Sequence, residues 1–115
     1  MSPSGLEYLQ HIRDELRYIV GQTRGLGRES FMQDETLKRA FVRSLEIVGE
    51  ATKQMPAALK RKYPQVDWRG MAGMRDRLIH AYFAVNYKIV WDVATTEVPG
   101  LVEQVESIVR AERGA

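Results

Sequence analysis

Hydrophobic residues recur at three- and four-residue steps along most of the chain, which is the spacing of one buried face of an α-helix. A first helix is predicted over residues 3–21, on the stripe formed by Leu6, Leu9, Ile12, Leu16, Ile19 and Val20. The glycine-rich segment 21–30 predicts a loop. A second helix is predicted from Ser30 or Asp34 to Met55, with its apolar stripe opposite the charged face of Arg39, Arg43, Glu46 and Glu50.

The second half of the chain continues the helical pattern. A short helix is predicted over 56–62, and Asp67 is a suitable N-cap for a helix over 68–85. Another short segment follows over 87–93, the TTEVPG string predicts a turn, and a last amphipathic helix covers 99–113. No strand of useful length is predicted. The expected fold is all-α, an up-and-down bundle of four principal helices with one or two short helices.

Length and composition narrow the class of protein. A chain of 115 residues fits one domain, 1–115, with a substantial core. The lack of cysteine excludes disulfides, thiolate zinc sites and a cysteine nucleophile. No apolar run approaches the roughly 20 residues that span a bilayer, and the charged N-terminal segment is unlike a secretory signal. A cytoplasmic protein is expected. A net charge of +2 argues against an extended basic surface, so any nucleic-acid contact should be local.

Arg75 interrupts the pattern of the predicted fourth helix. On a helical wheel it lies within about 60° of six residues that form the apolar stripe, namely Trp68, Met71, Ala72, Leu78, Ile79 and Tyr82. A guanidinium cannot lose its charge and is costly to bury without a partner. Arg75 is therefore expected to have an anionic partner or to face a cleft.

His80 lies on a second, polar face of the same predicted helix. Asp76, one turn earlier, would orient its ring, while Arg69 and Arg77 make this face cationic. Histidine exchanges protons near neutral pH, which suits acid–base catalysis. The simpler interpretations are a structural ion pair for Arg75 and a solvated surface pair for His80. No metal site is expected, because His11 and His80 lack the spacing of zinc ligands.

The segment 75–82, RDRLIHAY, forms an R-x4-H-x-Y motif and resembles the signature of HepT-like proteins in the HEPN superfamily. The segments 43–56 and 66–106 also resemble this family, so that the likeness covers nearly the whole chain, with the loop near residue 25 the least typical part. The resemblance implies a helical homodimer whose two motifs meet in a cleft. It also implies a metal-independent endoribonuclease toxin that needs no cofactor.

The resemblance assigns roles to individual residues. Arg75 and His80 would be catalytic, with Asp76 in support. The cationic face beside His80 separately predicts that Arg69 and Arg77 contact RNA. The partner antitoxin would be a small nucleotidyltransferase resembling MntA, which would transfer AMP to Tyr82. RNA supplies its own nucleophile, the 2′-hydroxyl, so acid–base groups and a cation for the phosphate suffice for cleavage.

Two other interpretations remain open at this stage. The domain could be a non-catalytic module that pairs with a nucleotidyltransferase and binds nucleotide or RNA without cutting it. Alternatively, it could be a helical scaffold in which Arg75 pairs with a buried carboxylate such as Glu50. The scaffold predicts that Arg75→Ala lowers the free energy of unfolding by roughly 3–5 kcal/mol.

Overall fold

The computed structural model describes residues 4–81 and 83–114. Within these residues the chain forms eight α-helices, one π-helical turn and a two-stranded hairpin. In chain order these are α1 Gly5–Thr23, α2 Arg28–Gln33, α3 Glu35–Gln54, α4 Ala57–Lys62, α5 Trp68–Ala72, α6 Met74–Leu78, β1 Ile79–Ala81, β2 Ala84–Val85, α7 Tyr87–Asp92, the π-helical turn Val93–Glu97 and α8 Val98–Gly114.

Four helices begin at a side chain that accepts a hydrogen bond from the backbone three residues later. Ser4 caps α1, Asp34 caps α3, Asp67 caps α5 and Asn86 caps α7, with N···O distances of 2.9–3.2 Å. Each cap satisfies one of the donors that a helix leaves free at its start, a contribution of about 1 kcal/mol. The predicted cap Asp67 is thereby confirmed, and α3 begins beside Asp34, one of the two predicted starts of the second helix.

The core lies between the three long helices, because α1 packs against both α3 and α8. Each contributes an apolar stripe at helical spacing, and the members with almost no exposure are Leu9, Ile12, Leu16, Ile19, Phe41, Leu45, Val48, Val98, Val105 and Ile108. Full burial of such side chains stabilises the fold by about 1.5–3 kcal/mol each before entropy is counted. The prediction of an all-α fold is confirmed.

The helix α3 approaches the α5–α6 pair closely at Gly49. A Cβ built there would lie 3.4 Å from the Met71 carbonyl oxygen and 3.5 Å from that of Ala72, which is van der Waals contact. A side chain larger than alanine would therefore push the two short helices outward. A small residue at this position keeps the segment that carries Arg75 close to α3.

The predicted fourth helix over 68–85 was wrong. The chain forms two five-residue helices separated at Gly73 and then turns into the hairpin, where Ile79 pairs with Val85 and Ala81 with Ala84. The backbone N–H of Asn86 donates to the Leu78 carbonyl at 2.9 Å and closes the hairpin. The bundle therefore has three long helices rather than four.

Two smaller predictions were also wrong. The predicted loop 21–30 ends inside α2, which buries Phe31 against the rings of Phe41 and Trp91. The TTEVPG string forms no turn out of the helix, because α7, the π-helical turn and α8 follow one another without a break in helical backbone. Pro99 has no N–H to donate, and a π-helical turn just before it accommodates the missing bond.

Candidate functional site

The buried side of α6 contains Met74 rather than Arg75. Met74 is 1% exposed and Leu78 is fully buried, while the side chain of Arg75 is 47% exposed. Met71, Met74 and Leu78 keep three- and four-residue helical spacing across Gly73, where φ is −87° and ψ is 7°. The prediction that Arg75 lies in the middle of the apolar stripe was wrong, because the stripe that packs against the core passes through Met74 instead.

Arg75 nevertheless has an anionic neighbour and faces a hollow. Its Nε lies 3.4 Å from Oε2 of Glu46 on α3, one turn before the predicted Glu50. The two residues line the Arg75 hollow, a depression of about 360 Å³ whose other walls include Arg39, Val85 and Tyr87. The ion pair is single-contact and half exposed, so the guanidinium can still donate to a ligand.

His80 lies on β1 rather than on a helix. Its neighbours Ile79 and Ala81 are partly buried and His80 is exposed, as expected from the alternation of side chains along a strand. It lines the His80 hollow, a depression of about 480 Å³ bounded also by Met32, Asn86, Tyr87 and Lys88. The hairpin thus places the imidazole at the mouth of a groove.

Asp76 does not orient His80 in this structure. The helix ends at Leu78, so the one-turn spacing that would join their side chains does not exist. Within residues 4–81 and 83–114 no hydrogen bond joins Asp76 to His80, and both are exposed. The predicted pairing was wrong because it required a helix through residue 80.

The two flanking arginines differ in their surroundings. Arg69 is exposed on α5. Arg77 donates two hydrogen bonds to the Glu97 carboxylate, at 3.0 and 2.9 Å, and this contact raises the pKa of its guanidinium. The pair ties α6 to the π-helical turn. An RNA phosphate would have to displace Glu97 before it could use both donors of Arg77.

Tyr82 lies outside the described residues. The two motif residues that are described, Arg75 and His80, open into different hollows, which share Val85 and Tyr87 as a common wall. Within one chain, therefore, the structure places them on adjacent surfaces but not around a single space.

The contact that supports the Tyr87 side of this wall was not predicted from the sequence. Lys38 is buried in α3, and its Nζ lies 4.4 Å from the centre of the Tyr87 ring. The same ammonium donates to the Met32 carbonyl oxygen at 3.2 Å and to Glu35 at 3.1 Å. The sequence did contain an indication of this contact, because Lys38 falls on the apolar stripe of α3 and a buried lysine needs partners for its charge.

Neither a metal-ligand cluster nor a membrane-spanning helix is found in the part of the chain that the structure describes. Across the described ranges, no group of three or more His, Asp or Glu side chains is arranged to hold a metal ion. No helix in those ranges is long and apolar enough to cross a membrane.

Comparison with known proteins gives consistent matches over almost the full length. Residues 6–108 match the HepT-like family, described as ribonuclease HepT-like. A Caldanaerobacter subterraneus protein named "Putative RNase" is 46% identical over 106 residues, which cover 92% of this chain and 95% of the relative. A Thermococcus cleftensis "Probable ribonuclease HepT" is 39% identical, with coverage of 94% and 98%. A Methanocaldococcus jannaschii "Putative RNase" is 40% identical, with coverage of 90% and 85%. No solved structure gives a significant match.

Proposed function

The chain belongs to the HepT-like ribonuclease family, and from this membership and the placement of its motif we propose that it is a metal-independent endoribonuclease. One observation carries the proposal. Arg75 and His80 are both exposed, and each lines a hollow that shares the wall of Val85 and Tyr87 with the other. A permanent cation and a proton-exchanging group are the two elements that cleavage of RNA requires from a protein.

In the proposed reaction the 2′-hydroxyl oxygen attacks the adjacent phosphorus, and the bond from phosphorus to the 5′-oxygen breaks. One imidazole accepts the 2′-hydroxyl proton, while a protonated imidazole donates a proton to the departing 5′-oxygen. Arg75 donates to the non-bridging phosphate oxygens, which carry more charge in the transition state. The products are a 2′,3′-cyclic phosphate and a free 5′-hydroxyl.

A homodimer would supply the second imidazole. Each chain has one His80, and the only other histidine is His11 on α1, which lines a different hollow with Tyr8 and Arg43. Apposition of two hairpins would bring both copies of Arg75 and His80 to one cleft. Because the two side chains open into different hollows of one chain, a site shared between chains suits their geometry.

The regulatory part of the proposal is a toxin–antitoxin pair acting in the cytoplasm. An MntA-like nucleotidyltransferase would silence the toxin by transferring AMP to Tyr82, two residues after His80. A bulky anion there would exclude RNA by size and charge. Phe83, the next residue, is largely exposed at the tip of the hairpin, which supports access of a modifying enzyme to this turn.

The remaining predicted site residues, Asp76, Arg69 and Arg77, have supporting roles in this proposal. Asp76 is exposed on α6 and could accept a hydrogen bond in a dimer cleft. Arg69 is proposed to contact phosphates, as is Arg77 once RNA displaces Glu97 from it.

The proposal is tested by incubating end-labelled RNA with the purified chain in EDTA, as wild type and as His80→Ala. Wild type should cleave and leave 2′,3′-cyclic phosphate ends, while the variant should lose at least about a hundredfold in rate. Size-exclusion chromatography with light scattering should show a dimer for both. Cleavage that requires added Mg²⁺, or equal cleavage by both folded proteins, would refute the mechanism.

A second candidate is a non-catalytic module that binds RNA or nucleotide beside a nucleotidyltransferase. The observation in its favour is that His80 has no hydrogen-bond partner among the described residues that would orient its ring. If the chain is such a module, the unmodified dimer should bind RNA measurably and should not cleave it. Expression of the chain alone should then leave cell growth unaffected, whereas the toxin should arrest growth.

A further inference from the structure

The His80 hollow continues into a third depression, here called the Arg28 hollow. The Arg28 hollow has a volume of about 400 Å³ and is lined by Arg28, Glu29, Met32, Gln33 and Lys88. It shares Met32 and Lys88 with the His80 hollow, which in turn shares Val85 and Tyr87 with the Arg75 hollow. The three hollows thus follow one another across the surface.

The path formed by these three hollows carries an excess of positive charge, although the chain as a whole is almost neutral. Its basic side chains are Arg28, Arg39, Arg75 and Lys88, against the carboxylates of Glu29 and Glu46. By contrast, the hollow between α5 and α8 presents two carboxylates, Asp67 and Glu97, against the guanidinium of Arg77. An extended anion would therefore favour the path that passes His80.

An aromatic ring stands in the middle of the path. Tyr87 lines both the Arg75 hollow and the His80 hollow, while Lys38 holds the ring from the protein side through its contact at 4.4 Å. The Lys38 ammonium is itself fixed by Met32 and Glu35, and its side chain is only 11% exposed. The ring is therefore held in place between two cationic depressions.

A cationic groove with a fixed aromatic ring is the arrangement that proteins use for single-stranded nucleic acid. We propose that the three hollows bind an unpaired stretch of RNA, with one base stacked on Tyr87 and the following phosphates held by Lys88 and Arg28. A base inside a duplex already has both faces covered by its neighbours, so this mode selects unpaired RNA. The proposal rests on the ribonuclease function above and names the class of RNA and the residues that hold it.

The test measures binding separately from cleavage. The probe is an unstructured, fluorescein-labelled RNA with 2′-O-methyl groups on every nucleotide, which lacks the nucleophile and cannot be cut. Kd is measured by fluorescence anisotropy over a series of salt concentrations. Tyr87→Leu should weaken binding by about tenfold without changing the salt dependence, because stacking involves no counterion release. Tyr87→Phe should stay within about twofold of wild type, because it keeps the ring.

Lys88→Ala should weaken binding in a different way. The slope of log K against log salt should decrease by about 0.7, the value for one phosphate contact with a single strand. Matched controls are Tyr18→Leu and Arg110→Ala, which remove an exposed tyrosine on α1 and an exposed arginine on α8. Neither control residue lines the three hollows, and both variants should bind like wild type. A duplex of the same strand should bind more weakly than the single strand.

The outcomes separate this proposal from the proposed function. Unchanged Kd for a folded Tyr87→Leu, or equal binding of the duplex, would overturn the path even if wild type cleaves RNA. Binding as expected with no cleavage of unmodified RNA would instead refute the ribonuclease and leave the path standing. If Tyr87→Leu fails to fold, the salt slopes of Lys88→Ala and Arg28→Ala decide, since both side chains belong to exposed residues. Slopes equal to wild type would then overturn the proposal.

Discussion

Replacement of Arg75 by alanine distinguishes a catalytic arginine from a structural one. The ion pair with Glu46 has a single contact at 3.4 Å, and the two side chains are 47% and 26% exposed. Exposed pairs of this kind contribute about 0–1 kcal/mol, because water screens the charges and ordering long side chains costs entropy. Arg75→Ala should therefore lower the free energy of unfolding by less than about 1 kcal/mol, a shift of only a few degrees in Tm.

The expected effect on cleavage is far larger. Removal of one donor that stabilises charge in a transition state costs about a hundred- to a thousandfold in rate. The measurements are urea unfolding followed by circular dichroism, and single-turnover cleavage of labelled RNA in EDTA. Arg43→Ala is the matched control, because Arg43 is an exposed arginine on α3 that lines the hollow beside His11 instead. It should change neither stability nor rate appreciably.

A loss of 3–5 kcal/mol in Arg75→Ala would refute this reasoning and support the scaffold, in which the arginine completes a buried ion pair. A folded Arg75→Ala with wild-type rate would equally remove Arg75 from the site. Arg75→Lys should recover only part of the rate, since an ammonium lacks the forked donors of a guanidinium.

Three further predictions follow from the same contacts. Glu46→Gln should tighten binding of uncleavable RNA by up to about fivefold, because the carboxylate no longer competes for Arg75; weaker binding would contradict this. Gly49→Ala should keep stability and cleavage near wild type, whereas Gly49→Leu should lower both because it displaces α5 and α6. Thermal melts and cleavage rates measure the two effects, and a Gly49→Leu variant with wild-type values would disprove the close packing. The hydrogen bonds from Lys62 and Tyr63 lower the pKa of the Glu112 carboxyl below its ordinary value of 4.5. The contribution of Glu112 to the stability of the fold is therefore fully present above pH 4.5 and is lost as the pH falls through the lowered pKa. The difference in Tm between wild type and Glu112→Gln should therefore shrink at acid pH, whereas the control Glu103→Gln should show no such change. A Tm difference that stays constant with pH would count against the hydrogen bonds to Glu112.

Local patterns predicted the long helices well, and failed where the chain changes direction. The stripes of α1, α3 and α8 are continuous in sequence, and burial of each stripe needs no information beyond helical spacing. The segment 68–85 has the same kind of pattern, yet it forms two short helices and a hairpin. No glycine, proline or asparagine lies between His80 and Val85 to indicate the turn, so composition alone could not separate the two structures.

The roles of the candidate site residues stay a prediction. The resemblance of the motif to the HepT-like signature singled out Arg75 and His80, and a guanidinium among apolar neighbours was by itself chemically unusual. The supporting residues were not predicted correctly. Glu46 rather than Glu50 faces Arg75, and Asp76 does not contact His80. The second error follows from a wheel drawn through a helix that in fact ends at Leu78. The first concerns a contact between α3 and α6, which no spacing within one helix can predict.

The sequence by itself determined the helical class, the three long helices and the motif that identifies the family, since these depend on residue types at fixed short spacings. Only the tertiary structure decided where Arg75 and His80 point and which residues surround them. The Arg75–Glu46 pair and the Lys38–Tyr87 contact arise from packing between segments far apart in the chain. Burial of Met74 against α3 moves Arg75 to the surface, and that balance depends on neighbours that no local pattern contains.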